Sequence, residues 1–506
     1  LSAASGAAGR GQQDPGGCAM TALAQGSDLL GQSASAVWPV VPDVCVAVSA
    51  CLILLIDVYG GHKRRGLSAT LTMFALLVGV VLTSRFGMVL QRELLFNGMY
   101  VADALGTFLK LVAFVTMAIA VFYSQNYLEQ RQMLGGEYYV LCLTGLLGVF
   151  VLISAHSLLT VYLGVELLSL SLYALVAFDR DSGIAAEAAI KYFVLGAIGS
   201  GVLLYGMSML YGITGTLDLD ELSRVVQHAP SGGIIIGVAF VVAAIAFKFG
   251  AVPFHMWVPD VYEGAPTSVT LYIATVSGLG SFALILRLLA QGLNGLTGIW
   301  TQMLIAIAVL SLSFGNVVAI AQTNLKRMLA YSAIANTGFI LLGFATGQSS
   351  GIQAALNFTI AYVLVTLGSF GLILMLSRQG AEHDQIADFK GLSTRDPLLA
   401  ALMLVLMFST AGVPPFIGFW AKLWLIQALI ASGHVWLSVF AMLMSVVGAY
   451  YYLRVVWYMY FDSADGRASA ESRPRMRLIL LINALAVTAL GLLPNALLDI
   501  CRRLIP

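Results

Sequence analysis

The sequence predicts an all-α polytopic membrane protein of about fourteen transmembrane helices, built around two inverted five-helix repeats that each contain a broken helix. Three observations carry that prediction. Hydrophobic residues make up 59% of the 506-residue chain and charged residues only 10%, whereas a soluble domain needs about a quarter of its residues charged. Mean hydropathy is +0.90. Apolar runs of about 20 residues, the length of helix that crosses a bilayer, succeed one another almost without interruption. Lipid is therefore the solvent for most of the chain. A formal net charge of +1 provides no electrostatic footprint for nucleic acid. The cysteines Cys18, Cys45, Cys51, Cys142 and Cys501 lie far apart or within apolar runs, which fits small buried residues better than a metal site.

In chain order, residues 1–36 read as an N-terminal tail. Within it, the Gly-rich stretch 1–19 is set aside from the fold, with Met20 as an alternative start. Three spans follow at 37–58, 67–85 and 102–123, forming an N-terminal group within 37–136. The next five, at 137–155, 157–178, 187–212, 233–254 and 266–290, form a first unit over 137–290. The second unit, 297–460, contains spans at 297–321, 329–346, 353–377, 397–430 and 434–460, and a last span occupies 478–499. The run at 397–430 is too long for one crossing, and Pro414-Pro415 interrupts it. Proline removes a backbone donor, so this reads as one broken span. The connectors are short, and their charges read as solvated surface.

Loop charge tests the count, because cytoplasmic loops are enriched in Lys and Arg. One side carries Lys63, Arg64, Arg65, Arg131, Arg180, Lys326, Arg327, Arg378, Lys390, Arg395, Arg467, Arg473, Arg475 and Arg477. The other carries Arg10, Arg85, Arg92, Arg224, Arg502 and Arg503. This bias alternates correctly only if both termini lie outside.

Few ionisable residues remain within the spans: Asp43, Asp57, Asp103, Lys110, Glu166, Lys191, Lys248 and Lys422. A charge at the bilayer centre costs about 2.5–3.5 kcal/mol on insertion scales, so one retained there faces the bundle interior and marks function. Glu166, in LLTVYLGVELLSLSLYAL, is too deep to snorkel. Lys248 precedes Pro253 in AFKFGAVPFHMW, and Lys422 follows Pro415 in GVPPFIGFWAKLW. Lys191 lies nearer a boundary, and Lys110 has no evident partner in the sequence. His255, next to the first break, is either a satisfied helix-break histidine or a relay with a near-neutral reference pKa. Arg287 and Arg454 read as anchors at span ends.

Lysine is a compact charge that sheds its proton readily on burial, and a carboxylate within reach opposes that release. A broken helix beside the lysine frees backbone groups that water can satisfy, which supplies hydration where a proton wire needs it. The lysine precedes the break in one span and follows it in the other. The two spans lie an odd number of crossings apart and so run in opposite directions, as an inverted repeat requires.

The stretches VPFHMWVPDVYEGAPTSVT (252–270), QTNLKRMLAYSAIANTGF (322–339) and GVPPFIGFWAKLWL (412–425) resemble the antiporter-like membrane subunits of proton-pumping NADH:quinone oxidoreductase, bacterial complex I, and subunit N in particular. The resemblance runs from about residue 37 to 499. It implies proton translocation through Glu166 on the fifth span, Lys248 on the seventh and Lys422 on the twelfth, with Lys191 tuning the Glu166–Lys248 pair and His255 in support. It also implies a multi-pass protein of the bacterial inner membrane with both termini on the periplasmic side. The chain would carry no cofactor of its own, with FMN, iron–sulfur clusters and quinone in partner subunits. Neighbouring antiporter-like and small membrane-arm subunits, together with membrane lipids, are the implied partners. Two positions depart from the family pattern. Gly278 stands where an eighth-span lysine is usual, and Asn336 where a histidine is common. A cation/proton antiporter subunit of the Mrp or membrane-hydrogenase type is the alternative, followed by a structural arm subunit with little proton flux of its own.

Overall fold

The computed structural model of the protein describes residues 38–60, 65–86, 92–228, 232–377, 382–463 and 474–505. The tail expected over 1–36, including Arg10, Cys18 and Met20, lies outside the described residues, as do Lys63, Arg64, Arg378, Arg467 and Arg473. Among those described, thirteen helices are long and apolar enough to cross a membrane. Helices α1 (Val41–Gly60), α2 (Arg65–Phe86) and α3 (Ala104–Gln130) form the N-terminal group, with a small antiparallel hairpin, β1 (Glu93–Leu95) and β2 (Tyr100–Ala102), between α2 and α3. Then come α4 (Gly136–Ile153), α5 (Leu158–Val176), α6 (Gly183–Thr214) and the short α7 (Leu219–His228).

The next span is broken into α8 (Gly232–Phe249) and α9 (Trp257–Gly264). Helices α10 (Thr267–Ala274) and α11 (Val276–Ile285) run on into a π-helical turn at Leu286–Gly292 and together make one crossing. After α12 (Thr297–Ala321), α13 (Leu325–Ala345), α14 (Ser349–Leu376) and the single turn α15 (Leu392–Arg395) comes the second break. It separates α16 (Pro397–Ala411) from α17 (Ile417–Ala431), the two halves of the broken span expected over 397–430. Helices α18 (Val435–Tyr460), α19 (Pro474–Leu492) and α20 (Asn495–Leu504) complete the chain.

Two elements differ from expectation. The connector between the spans expected at 187–212 and 233–254 contains α7, whose Leu219, Leu222 and Val226 are buried at helical spacing while Glu221 and Arg224 are exposed. The hairpin before α3 was not anticipated, because three-residue strands are too short to register a period of two.

The centre of the bundle is α10–α11, α13 and α14, which are almost wholly buried. The outer helices expose apolar side chains instead, Phe193 and Ile198 on α6 and Trp436 and Val446 on α18 among them, as surfaces that meet lipid do. Glycines allow close helix crossings. A Cβ at Gly148 of α4 would lie 2.5 Å from the Leu168 amide of α5, and one at Gly315 of α12 would lie 2.7 Å from the Ala335 amide of α13.

The hairpin marks one end of the bundle, and the connectors after α3, α9 and α14 mark the other, the loop end. There the segment following α14 acts as a strap. Glu382 accepts from the Tyr127 hydroxyl at 2.6 Å and the Thr267 hydroxyl at 2.5 Å, and it pairs with Arg131 at 2.9 Å. Lys326, buried in the first turn of α13, donates to the Ala265 carbonyl at 3.1 Å and lies 4.0 Å from Glu382. The solvated surface expected for these loop charges is therefore a packed network, since α3, α10 and α13 end close together here.

Burial would raise the Glu382 carboxyl pKa, but Lys326 and Arg131 outweigh it and hold the carboxyl below the usual glutamate range. A depressed folded-state pKa contributes stability above the unfolded value that is lost as pH falls through the folded one. The Leu325 and Ile386 amides, bonded to the Asp384 and Thr323 carbonyls, report on the strap. Their protection, taken relative to intrinsic exchange at each pH, should hold down to the ordinary glutamate pKa and fall only below it. In Glu382→Gln it should already be lower at neutral pH.

Candidate functional site

Both breaks follow one design. Helix α8 is followed by Gly250 (φ 66°), and α16 by Gly412 (φ 88°). A side chain disfavours that left-handed backbone, so glycine is the residue that ends the helix cleanly. Each glycine is followed within two residues by a Val-Pro pair. A helix that stops inside the bilayer leaves backbone groups without partners, at a cost of several kcal/mol each, and the two breaks satisfy theirs differently.

At the first break, the Phe247 carbonyl accepts from the Trp257 indole at 3.0 Å and the Phe249 carbonyl from Thr337 at 3.2 Å, while the Val252 amide donates to Ser311 at 2.9 Å. Lys248 is thus left free of backbone duty. Its Nζ donates to the Ser169 hydroxyl on α5 at 2.9 Å. Ser169 lies three residues beyond Glu166, on the same helical face. Glu166 presents a buried Oε1 without a hydrogen-bond partner. Among the described residues, no ion pair engages Glu166 or Lys248. The expected pair is thus arranged around one stretch of α5, with Lys248 on Ser169 rather than on the carboxylate. A cavity of about 10 Å³, close to the room one water needs, borders Lys248, Ser169 and Tyr173.

At the second break the lysine itself satisfies the backbone. Lys422 donates to the Thr410 and Ala411 carbonyls at 2.9 and 3.1 Å and to the Ser445 hydroxyl at 3.0 Å. Its ammonium also lies 5.3 Å from the Phe339 ring centre, within the range of a cation–π contact. These are the last carbonyls of α16, where the negative end of the helix dipole favours a cation. A cavity of about 20 Å³, room for one water, lies between Lys422, Asn336, Tyr362 and Thr410. Asn336 donates to the Ser332 carbonyl at 2.9 Å and reaches the Tyr452 hydroxyl at 3.4 Å, and Ser332 and Tyr452 bond to each other. A polar track therefore leads from Lys422 along α13 towards the loop end.

Between the breaks lies α11. A Cβ built at Gly278 meets nothing within 4 Å, so the position faces open space inside an otherwise buried helix. The neighbouring Ser277 and Ser281 are buried.

Lys191 does not join the Glu166–Lys248 group. It pairs with Glu187 at 2.9 Å and Asp260 at 2.8 Å, and Asp260 with Glu263 also engages Arg327 at 3.0 and 2.8 Å. This chain of charges joins α6, α9 and α13. His255 sits within the first break, its ring edge-on to Phe314 at 4.6 Å, with a buried Nδ1 lacking a partner.

Two buried ion pairs were not paired in the sequence. Lys110 meets Asp43 at 2.7 Å. Arg287, expected as a span-end anchor, is 1% exposed and forks onto Asp103 at 2.7 and 2.9 Å. Each pair joins helices far apart in sequence, which helical periodicity cannot register. Among the described residues, no group of His, Cys, Asp and Glu gathers as a metal site.

Residues 155–448 match the family model described as NADH:quinone oxidoreductase/Mrp antiporter, TM. A protein of Thioalkalivibrio sulfidiphilus named NADH-quinone oxidoreductase subunit N is 50% identical over 465 residues, which is 91% of this chain and 97% of that protein. Among solved structures, a chain of respiratory complex I from Thermus thermophilus superposes with a TM-score of 0.78 at 30% identity, covering 90% of this chain and 98% of that one. A chain of the Mrp complex from Dietzia sp. DQ12-45-1b has a TM-score of 0.79 at 19% identity, covering 92% and 96%. That last similarity concerns the fold alone.

Proposed function

The chain belongs to the NADH-quinone oxidoreductase subunit N family, and from that premise we propose that Glu166, Lys248 and Lys422 carry protons through it. It is an antiporter-like membrane-arm subunit of a proton-translocating NADH:quinone oxidoreductase, and its partners are other subunits of that complex. Flavin, iron–sulfur clusters and quinone belong to those partners. The membrane is the bacterial inner membrane, with the hairpin end and both termini outside. Residues 137–290 and 297–460 act as inverted repeats, a reading supported by the two breaks, each a left-handed glycine followed within two residues by Val-Pro, and by the paired glycine crossings at Gly148 and Gly315.

The observation that carries the residue-level reading is the contrast between ionisable groups. Asp103 and Arg287 are tied in a forked ion pair that engages both carboxylate oxygens, whereas Glu166, Lys248 and Lys422 are bonded only to hydroxyls and carbonyls or are left with a free oxygen. A group with a free oxygen or without a fixed counter-charge can gain and lose a proton without first breaking a forked ion pair. An electrostatic or conformational push from neighbouring subunits displaces Lys248 from Ser169 towards or away from Glu166, and so changes how tightly its proton is held. When Lys422 loses its proton it keeps enough N–H donors for the carbonyls of α16, but it loses its attraction to the helix dipole and to Phe339. Its proton loss is thereby coupled to the geometry of the second break. Lys191, through Asp260 and Arg327, positions α9 next to the first break, and His255 supports the same region.

The space at Gly278 is where water bridges the two halves in place of a side chain. Gly278→Lys tests this. A Cβ there meets nothing within 4 Å, so the complex should assemble, and proton pumping should change by less than about twofold, because a protonatable group replaces a water that did the same work. A several-fold gain in pumping would mean that the natural chain conducts poorly across this gap. Pumping is read as the proton-to-electron ratio in liposomes containing the complex.

A further inference from the structure

We propose that Asp43, Tyr100 and Lys110 form a third proton-exchanging site, set in the N-terminal helices near the hairpin end and separate from both breaks. The inference rests on the reading that buried carboxylate and lysine groups move protons in this chain. The site lies outside the matched stretch 155–448.

The geometry is that of a compact triad. The Lys110 ammonium donates to Asp43 Oδ2 at 2.7 Å and to the Tyr100 hydroxyl at 2.6 Å. The Tyr100 hydroxyl in turn lies 3.1 Å from Asp43 Oδ2 and 3.2 Å from the Pro39 carbonyl, with one proton to share between them. Asp43 and Lys110 are 7% and 4% exposed. Yet Asp43 Oδ1 is buried without any hydrogen-bond partner. In a purely structural ion pair the remaining lone pairs are normally satisfied, since a bare carboxylate oxygen in a low dielectric is costly. A cavity of about 10 Å³, close to the volume of one water, adjoins the triad and is bounded by Thr83, Tyr100, Asp103, Thr107 and Lys110. The free oxygen and the water-sized space together make a place where a proton can be taken up and handed on.

The step is a transfer within the pair. The Lys110 N–H bond breaks and an O–H bond forms on Asp43, leaving a neutral amine and a neutral acid with no change in total charge. The acid then passes its proton to the Tyr100 hydroxyl oxygen at 3.1 Å as that hydroxyl releases its own proton to water in the cavity it lines, and the amine is left able to accept the next one. Asp103 borders the same cavity, pairs with Arg287 and is itself 17% exposed, which connects the cavity to the hairpin end. The charged and titratable groups around Asp43 are therefore Tyr100 from β2, Lys110 and the capping Asp103 from α3, and Arg287 and Arg92 beyond Asp103. Helices α2 and α4 contribute Thr83 and the Phe150 ring.

The test is infrared difference spectroscopy of the assembled complex in liposomes as outside pH is lowered. The expected result is a protonated-carboxyl band that grows as pH falls, is lost in Asp43→Asn and shifts in Tyr100→Phe, which keeps the ion pair and hence the fold. If Asp43→Asn does not assemble, Tyr100→Phe decides alone. A spectrum in which no carboxyl band responds to these substitutions overturns the proposal and leaves Asp43–Lys110 as a static tie between α1 and α3. Glu166→Gln serves as the separate control. Normal pumping there would refute the underlying reading whatever the Asp43 band does.

Discussion

Replacing Lys248 by methionine is expected to lower proton pumping by the assembled complex at least about tenfold, because a positioned proton-transfer group typically contributes about 10²–10⁴-fold to its step. Quinone reduction should fall with it if electron transfer is tightly coupled to pumping. Assembly should not suffer. The backbone of the first break is satisfied by Trp257, Thr337 and Ser311 rather than by Lys248. Methionine matches the length of the lysine stem and removes a buried charge worth about 2.5–3.5 kcal/mol on insertion scales. Stability that holds or rises while pumping collapses is the signature of a functional charge. Pumping in proteoliposomes, set beside the amount of assembled complex, separates this outcome from a folding defect. Glu166→Gln is expected to behave alike, since it keeps the shape of the side chain and removes only the proton acceptor.

The largest stability effect is expected at Asp103. Arg287 is 1% exposed and spends its guanidinium on Asp103 and the Ile153 carbonyl. Asp103 also caps α3 through the Gly106 amide at 2.7 Å. Asp103→Ala would leave a buried arginine without its counter-charge, a loss of about 3–5 kcal/mol in comparable buried pairs, and would remove the cap, worth about 1 kcal/mol more. The variant is expected to assemble poorly and to melt at a clearly lower temperature. Adding Arg287→Met should restore much of the loss, because the unpaired charge is then gone. A double variant as unstable as the single one would show that the damage comes from the cap and from packing around α3.

Much of this architecture is legible in the sequence because lipid imposes a simple grammar. Apolar runs mark the spans, prolines mark the breaks, and the few charges left inside stand out. Glu166, Lys248 and Lys422 stand out in that way, and the structure places the two lysines at the two breaks. What stayed hidden depends on contacts between distant segments. Lys110 had no evident partner because Asp43 lies on another helix, 67 residues away. Lys326 and Arg131 read as loop cations, yet the strap at Glu382 draws them into a packed network. Resemblance alone ties Lys191 to the Glu166–Lys248 pair, and the structure gives it Asp260 and Glu187. The missing eighth-span lysine could be read from Gly278, but the space beside it could not.

That space bears directly on the central claim, that Glu166, Lys248 and Lys422 serve one proton path across the middle of the bundle. The measurement is a structure of the assembled complex at a resolution that shows ordered water. Waters are expected beside Lys248 and Ser169, next to Gly278 and between Lys422 and Asn336, close enough to form one hydrogen-bonded file. A dry, side-chain-filled gap at Gly278 would contradict it.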